Sequence, residues 1–272
     1  MFKKVNDIET FRENLKEQKE FYETGHKIFH ELHKQLHESA VKLKDTNWKD
    51  DDARLRLFDK MYQIVGGTLM SFIAHDKLFT FEGFYAVYGG KEEGAKTLEE
   101  ANLSKEDLAN YAFNSECFMQ NAISSYIHLL YSTVESSIRI FAREILGREF
   151  GDATDDFKKI YTPLIESHCF KGKLQSYIDK QNRYKNLLNL FAMIRNTIHN
   201  NGVYFYHGDE SIKWGRQVFT FEWGKAVHLT WDHLKVLTEG IIEAMDAIVR
   251  TEVISDPNYI KDPTPAVTTF DI

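Results

Sequence analysis

Apolar residues recur along this chain at three- and four-residue steps, the spacing that puts them on one face of an α-helix. From about Asn6 to Lys44 the series is Ile8, Phe11, Leu15, Tyr22, Phe29, Leu32, Leu36 and Leu43, which predicts one long helix. A second is predicted from about Trp48 to Ala74 through Leu55, Phe58, Met61, Val65, Leu69 and Phe72, with Gly66-Gly67 marking a bend or a close helix contact. The stretch from Phe79 to Thr97 is aromatic and glycine-rich without a sustained period. It reads as an ordered loop or small insertion whose Phe79, Phe81, Phe84, Tyr85 and Tyr88 form a mini-core. Ser104 and Asp107 stand at capping-box spacing and open a helix that runs to about Leu146 and stops at Gly147. Its core face carries Ile123, Ile127, Leu130, Val134, Ile138, Phe141 and Ile145. A shorter helix from Asp155 to about Ile165 contains Pro163, and a strong one follows from about Asn182 to Asn200 through Leu187, Phe191, Ile194 and Ile198.

After Gly202 the period changes. Val203 to Tyr206 and Gln217 to Trp223 are β-prone, and Gly224-Lys225 is placed to turn the second run into Ala226 to Leu229 as a hairpin. Thr230 fits the N-cap of a last helix, Trp231 to about Thr251, with Leu234, Leu237, Ile241, Met245 and Ile248 inward. Pro257, Pro263 and Pro265 fall in the tail beyond, which is expected to run extended or docked on the surface. The fold class is therefore all-α, a helical bundle with long N-terminal helices and a small β-hairpin appendage. The expected division is an N-terminal helical extension with its aromatic loop over 1–103, a bundle over 104–251 with the hairpin near 203–229, and a proline-containing tail over 252–272. No internal repeat, glycine-rich phosphate loop or serine-hydrolase elbow is present.

Composition narrows the classes. Hydrophobic residues make up 43% and charged residues 28%, a soluble balance with ample material for a core. No apolar run approaches the ~18 residues of a membrane span, and the first residues lack a signal peptide's apolar centre. Two cysteines, Cys117 and Cys169, are too few for a disulfide framework, and a reducing cytoplasm is the expected location. The net charge of −7 argues against a general polyanion binder, yet Lys158 to His199 holds eight Lys or Arg against Glu166 and Asp179. Phe157, Tyr161, Phe170, Tyr177 and Tyr184 interleave with these cations, a mixture suited to phosphates and stacked bases as well as to a solvated helix face.

That segment leads into Arg195-Asn196-Thr197-Ile198-His199-Asn200-Asn201-Gly202. Arg195 and His199, four apart, share one column of the helix, and Asn196 and Asn200 the next. Gly202 is a natural left-handed stop, so His199 falls in the last turn, where the helix dipole is expected to raise its pKa. An imidazole titrating near neutrality beside a permanent cation suits acid–base work on a phosphodiester. Capping of the helix end is the plainer role for the same residues.

An Arg followed by Asn and, a few residues on, by His at a helix end resembles the HEPN superfamily, the higher eukaryote and prokaryote nucleotide-binding domains. Ser132 to Arg139 resembles the second core helix of such domains, and Gly224 to Thr230 followed by the closing helix is similar as well. The likeness covers roughly residues 105 to 251. It implies a bundle of four or five helices that forms a homodimer and brings two Arg/His sites into one cleft. Active members are metal-independent endoribonucleases, many of them in toxin–antitoxin or antiviral defence systems, and others are inactive modules that bind RNA or a protein. By motif position Arg195 would stabilise the transition state, His199 would act on the 2′-hydroxyl or leaving group, Asn196 would orient the cleft, and Glu135 would position the Arg or His. RNA would be held by Asn200, Lys173, Lys180, Arg183 and Lys185, an antitoxin protein is an implied partner, and no cofactor, metal or membrane is called for. The usual motif has at least four residues between Arg and His, whereas three intervene here, and Asn200 stands where the shortest usual step would put the imidazole.

Three further patterns have bland explanations beside their chemical ones. His26, His30, His33 and His37 form a column that fits either a transition metal or the boundary of the core, and the boundary is the expectation. His168 and Cys169 are adjacent and point apart on a helix, so Cys169 is read as structural. Trp214 and Trp223 fit cross-strand packing as readily as base stacking.

Overall fold

The computed structural model describes residues 7–44, 47–88, 97–100, 102–147, 156–206 and 208–263. Asp7 opens the first helix, its carboxylate accepting from the Thr10 N–H at 2.8 Å. Helix α1 then runs Ile8–Lys44, and all eight positions of its apolar series, Ile8 through Leu43, are buried. Helix α2 spans Ala53–Leu78. It starts later than the apolar pattern implies because Asp52 caps it, Oδ1 accepting from the Arg54 N–H at 3.0 Å. It continues through Gly66-Gly67 without a bend, and open space surrounds Gly67.

The aromatic stretch is in part helical, a correction to the loop expected from sequence: α3 covers Phe81–Tyr88. Two turns are too short to register in a window that resolves helical period. The expected mini-core is present, with Phe84 fully buried beside Phe11, Leu108 and Tyr111, and Phe79, Phe81 and Tyr85 packed against them. Residues 89–96, the Tyr88 side chain, Asn6, Asp155 and Pro265 lie outside the described residues.

Helix α4, Lys105–Leu146, begins at the predicted capping box. The Asp107 N–H donates to Ser104 Oγ at 3.1 Å, and Asp107 Oδ2 accepts from the Ser104 N–H at 2.8 Å. Helix α5 spans Phe157–Pro163 and passes into a π-helical turn, Leu164–Cys169. Pro163 supplies no N–H and crowds the carbonyl a turn before it, and the widened turn closes through the Phe170 N–H to the Ile165 carbonyl at 3.1 Å. Helix α6, Gln175–His199, starts well before Asn182. Its first two turns are polar and show no period, and Gln181 ties them down by donating to the Phe170 carbonyl at 2.7 Å.

The hairpin is real but differently paired. Strand β1, Glu210–Trp214, pairs antiparallel with β2, Gln217–Phe221, and Trp214 faces Gln217 across the turn. Gly215 at φ 59° gives the positive φ that a two-residue hairpin turn needs. Val203 meets Ala226 only in an isolated bridge, so the expected Gly224-Lys225 hairpin is not formed. Helix α7, Trp231–Val249, opens on the predicted Thr230 cap, completed by His233 as a capping box, and α8 covers Glu252–Ser255. The chain forms two compact units, Met1–Glu31 with Val65–Tyr126 and Leu32–Ile64 with Ile127–Ile272. The Arg195 helix end lies in the second. No helix among the described residues is long and apolar enough to cross a membrane.

Candidate functional site

The end of α6 is closed by its backbone. The Gly202 N–H donates to the Thr197 carbonyl at 2.9 Å and the Asn201 N–H to that of Ile198 at 3.1 Å, the crossed pair of a Schellman stop. Asn201 at φ 55° is the first left-handed residue and Gly202 at φ 83° the second, so the stop comes one residue earlier than the glycine marks. Asn200 is the C-cap residue, exposed to solvent. The helix end is satisfied by its own amides, so the side chains of Arg195, Asn196 and His199 are available for other contacts.

Helix α4 supplies those contacts. Tyr131 packs edge-on to Phe191 at 5.3 Å between centroids, and the Arg195 guanidinium carbon lies 5.2 Å from the Tyr131 ring centre. One turn further along α6, the His199 ring meets that of His128 edge to face at 4.3 Å. Residue numbers fall on α6 as they rise on α4, so the two helices run antiparallel here. Arg195 Nη1 donates to the neighbouring Asn196 Oδ1 at 3.0 Å, and Asn196 Nδ2 donates to Tyr206 Oη at 3.2 Å. The Arg195 Nε is buried with no hydrogen-bond partner among the described residues. A buried donor left in this way costs about 1–3 kcal/mol, which an oxygen acceptor would restore. Glu135 pairs with Arg139 at 2.7 Å, both largely buried, rather than with Arg195 or His199.

Electrostatics reverse one expectation. The His199 pKa is lowered, first by desolvation and then by the Arg195 and His128 charges nearby. This direction is opposite to the one expected from the helix dipole, and it biases His199 to the neutral form. Burial raises the Tyr131 phenol above its ordinary value, assisted by Glu135, and raises Tyr161 to about 12. Both phenols are therefore neutral hydrogen-bonding groups.

Arg195, Asn196, Glu135, Arg139, Tyr131 and Tyr206 border one cavity of about 540 Å³, together with Phe157, Lys158, Tyr161 and Tyr204. The remaining cations picked out in sequence are elsewhere. Lys180 and Arg183 precede Arg195 by about 22 and 18 Å along α6 at 1.5 Å per residue, and Lys173 precedes the helix. Arg183 pairs with Glu243 at 2.6 Å, Lys185 pairs with Glu166, and Lys180 stands over the Phe170 ring at 5.7 Å. Only Lys158 of the basic segment joins Arg195 at the cavity. Phe157 and Tyr161 belong to the aromatics that the sequence interleaves with the cations, whereas His128, Tyr131, Tyr204 and Tyr206 were not singled out as site residues. The one local signal for His128 is its spacing, three before Tyr131 and seven before Glu135, which places all three on one side of α4.

In the histidine column, His33 stacks on Tyr62 at 4.0 Å and His37 lies 5.9 Å from the same ring, contacts typical of a core boundary. Among the described residues no group of three or more His, Cys, Asp or Glu is arranged to hold a metal ion. Cys169 is buried and its thiol is pushed up to about 11, chiefly by desolvation, as befits a structural residue. Trp214 donates from Nε1 to the Val236 carbonyl at 3.1 Å and is committed to packing on α7, whereas Trp223 is exposed and meets Phe205 edge-on at 6.2 Å. Comparison of the chain with family models, with curated proteins and with solved structures gives no match.

Proposed function

We propose that this chain is an HEPN-like module that cleaves RNA without a metal at the α4/α6 edge. The observation that carries the reading is the pair of imidazoles, His128 and His199, 4.3 Å apart, with Arg195 one helical turn away. Neutral His199 takes the proton of a 2′-hydroxyl, whose oxygen attacks the adjacent phosphorus. The P–O5′ bond breaks, leaving a 2′,3′-cyclic phosphate, and His128 gives a proton to the departing 5′-oxygen. Arg195 balances the charge on the phosphorane, and Asn196 holds Arg195 and Tyr206 in place. The test is incubation with structured and unstructured RNA in EDTA, comparing wild type with His199→Ala and Arg195→Ala. Cleavage by wild type and a loss of about 10²-fold or more in the variants supports the proposal, and equal cleavage by all, or none by any, rejects it.

A binding module of the same fold is the second reading, favoured by the Arg195 guanidinium lying on Tyr131 and bonding its own neighbour. It predicts an RNA or protein complex that persists in His199→Ala with no cleavage. A cytoplasmic, toxin-like or antiviral homodimer with an antitoxin partner is the setting that accompanies the first reading, and light scattering of purified protein tests the dimer.

A further inference from the structure

Packing accounts for Trp214 in the β appendage and leaves Trp223 unexplained. Trp223 follows β2 and is 62% exposed, and its ring meets that of Phe205, 55% exposed, at 6.2 Å and 80°. Two apolar rings standing nearly at right angles in solvent form an open notch rather than a flat platform. The backbone beneath them is fixed. The Trp223 N–H donates to Asp209 Oδ1 at 2.9 Å, the Tyr204 N–H to the Lys225 carbonyl at 3.0 Å, and the Gly224 N–H to the Tyr204 carbonyl at 2.7 Å. The indole Nε1 of Trp223 has no hydrogen-bond partner among the described residues, so the notch presents a donor. Asp209 and Glu210 are exposed, and both carboxylates act on Tyr204, the residue before Phe205. Lys225, the cation beside Asp209, is itself paired with Glu222, which leaves the rim of the notch acidic. A phosphate backbone is disfavoured at such a rim and a cationic partner is favoured.

From the exposed rings, the free indole N–H and the acidic rim we propose that the Phe205/Trp223 notch docks a proline-rich segment of a partner protein, extended as a polyproline II helix and flanked by a lysine or arginine. Such a helix has no internal hydrogen bonds, its carbonyls are free, and its prolines bring no N–H that would need an acceptor. A pyrrolidine ring sits between the two edge-on aromatics, the indole N–H donates to a carbonyl of the segment, and the flanking cation faces Asp209 and Glu210. Because the segment is extended before it binds, it loses little conformational freedom on docking, and a small notch suffices. Docking here is independent of RNA cleavage.

Fluorescence-polarisation titration of the full chain tests it with labelled decaproline, decaproline ending in lysine, and a glycine–serine decapeptide. Both proline peptides are expected to bind with a Kd below about 1 mM. The lysine-ended peptide should bind about threefold more tightly, an advantage that Asp209→Asn combined with Glu210→Gln removes. Asp209→Asn keeps an acceptor for the Trp223 N–H, so the notch itself is preserved. Trp223→Ala and Phe205→Ala are each expected to weaken binding about tenfold or more, with thermal melting unchanged because both rings are exposed. In nuclear magnetic resonance spectra the Trp223 indole N–H signal should shift on addition of decaproline, and Trp223→Phe assigns that signal by deleting it. Absence of binding by both proline peptides at about 1 mM overturns the inference, as does equal binding of the glycine–serine peptide or undiminished affinity in both alanine variants. Self-association, or binding of single-stranded RNA, that Trp223→Ala abolishes would assign the notch to a second copy or to RNA and overturn it as well.

Discussion

Arg54 closes on Asp52 with two charge-assisted hydrogen bonds, Nε to Oδ1 at 2.8 Å and Nη2 to Oδ2 at 2.6 Å, where neither side chain reaches solvent. The third nitrogen, Nη1, donates to the carbonyls of Ile254 and Pro257 at 2.9 Å each, and the Trp48 ring lies 3.9 Å from the guanidinium carbon. One cation therefore ties the start of α2 to the segment after α7, and Asp52 receives the Ile260 N–H at 3.2 Å from the same segment.

Truncating Arg54 strands a buried carboxylate and the carbonyls of Ile254, Ser255 and Pro257. Arg54→Ala is expected to cost about 3–5 kcal/mol in urea unfolding, and Arg54→Lys to recover only part of this, because an ammonium cannot reproduce the planar fork. Wild-type stability in either variant would show that the clamp is dispensable.

Gly240 gives Trp214 its place. A Cβ there would stand 2.7 Å from Trp214 Nε1, and that indole is fixed by its bond to Val236. Gly240→Ala is expected to destabilise the protein by about 1–3 kcal/mol through overpacking, despite alanine's better helix propensity. Thermal melting measures it, and a raised melting temperature would mean the hairpin yields without cost.

His75 accounts for an acid sensitivity. It is buried against Ser115, Nε2 to Oγ at 2.7 Å, and desolvation lowers its pKa from 6.5 to about 4. Above pH 6.5 the folded and unfolded states are both neutral at this residue and stability does not depend on it. As pH falls from 6.5 toward 4 the unfolded state takes the proton and the folded state does not, so stability drops by on the order of 3 kcal/mol. Denaturant titrations at pH 7.5 and 4.5 should show this loss, and His75→Gln should flatten it.

For His199 the lowered pKa fixes the sign of a pH–rate profile. Cleavage that uses neutral imidazole rises with pH through a midpoint below 6.5, earlier than for a free histidine. His128→Ala removes one of the groups that lower it, so the midpoint should move up while the rate at pH 7 falls. An unchanged rate at pH 7 in His128→Ala would place His128 outside the reaction.

Helices with long apolar series were legible in sequence because their periodicity is local, as α1 shows with all eight core positions. Caps at Ser104 and Thr230 were legible for the same reason. The hairpin partner was not: Glu210 to Trp214 carries only two apolar side chains and a lysine, while Val203 to Tyr206 is the stronger β-former, and pairing was settled by the Gly215 turn and by Trp214 docking on α7. Within the site, Arg195 and His199 announced themselves by sharing one helix column. His128 and Tyr131 did not, because they come from another segment and nothing local to α6 says which face of α4 meets it.

The three-residue gap between Arg195 and His199 can be restated as a rule of co-variation. A fourth intervening residue would rotate the imidazole by about 100° around α6, off His128 and onto the C-cap position that Asn200 occupies. Spacing on one helix and histidine on the other are thus coupled by geometry. A homologue with the longer gap should carry some other residue at the position of His128, and one that keeps that histidine should keep the short gap.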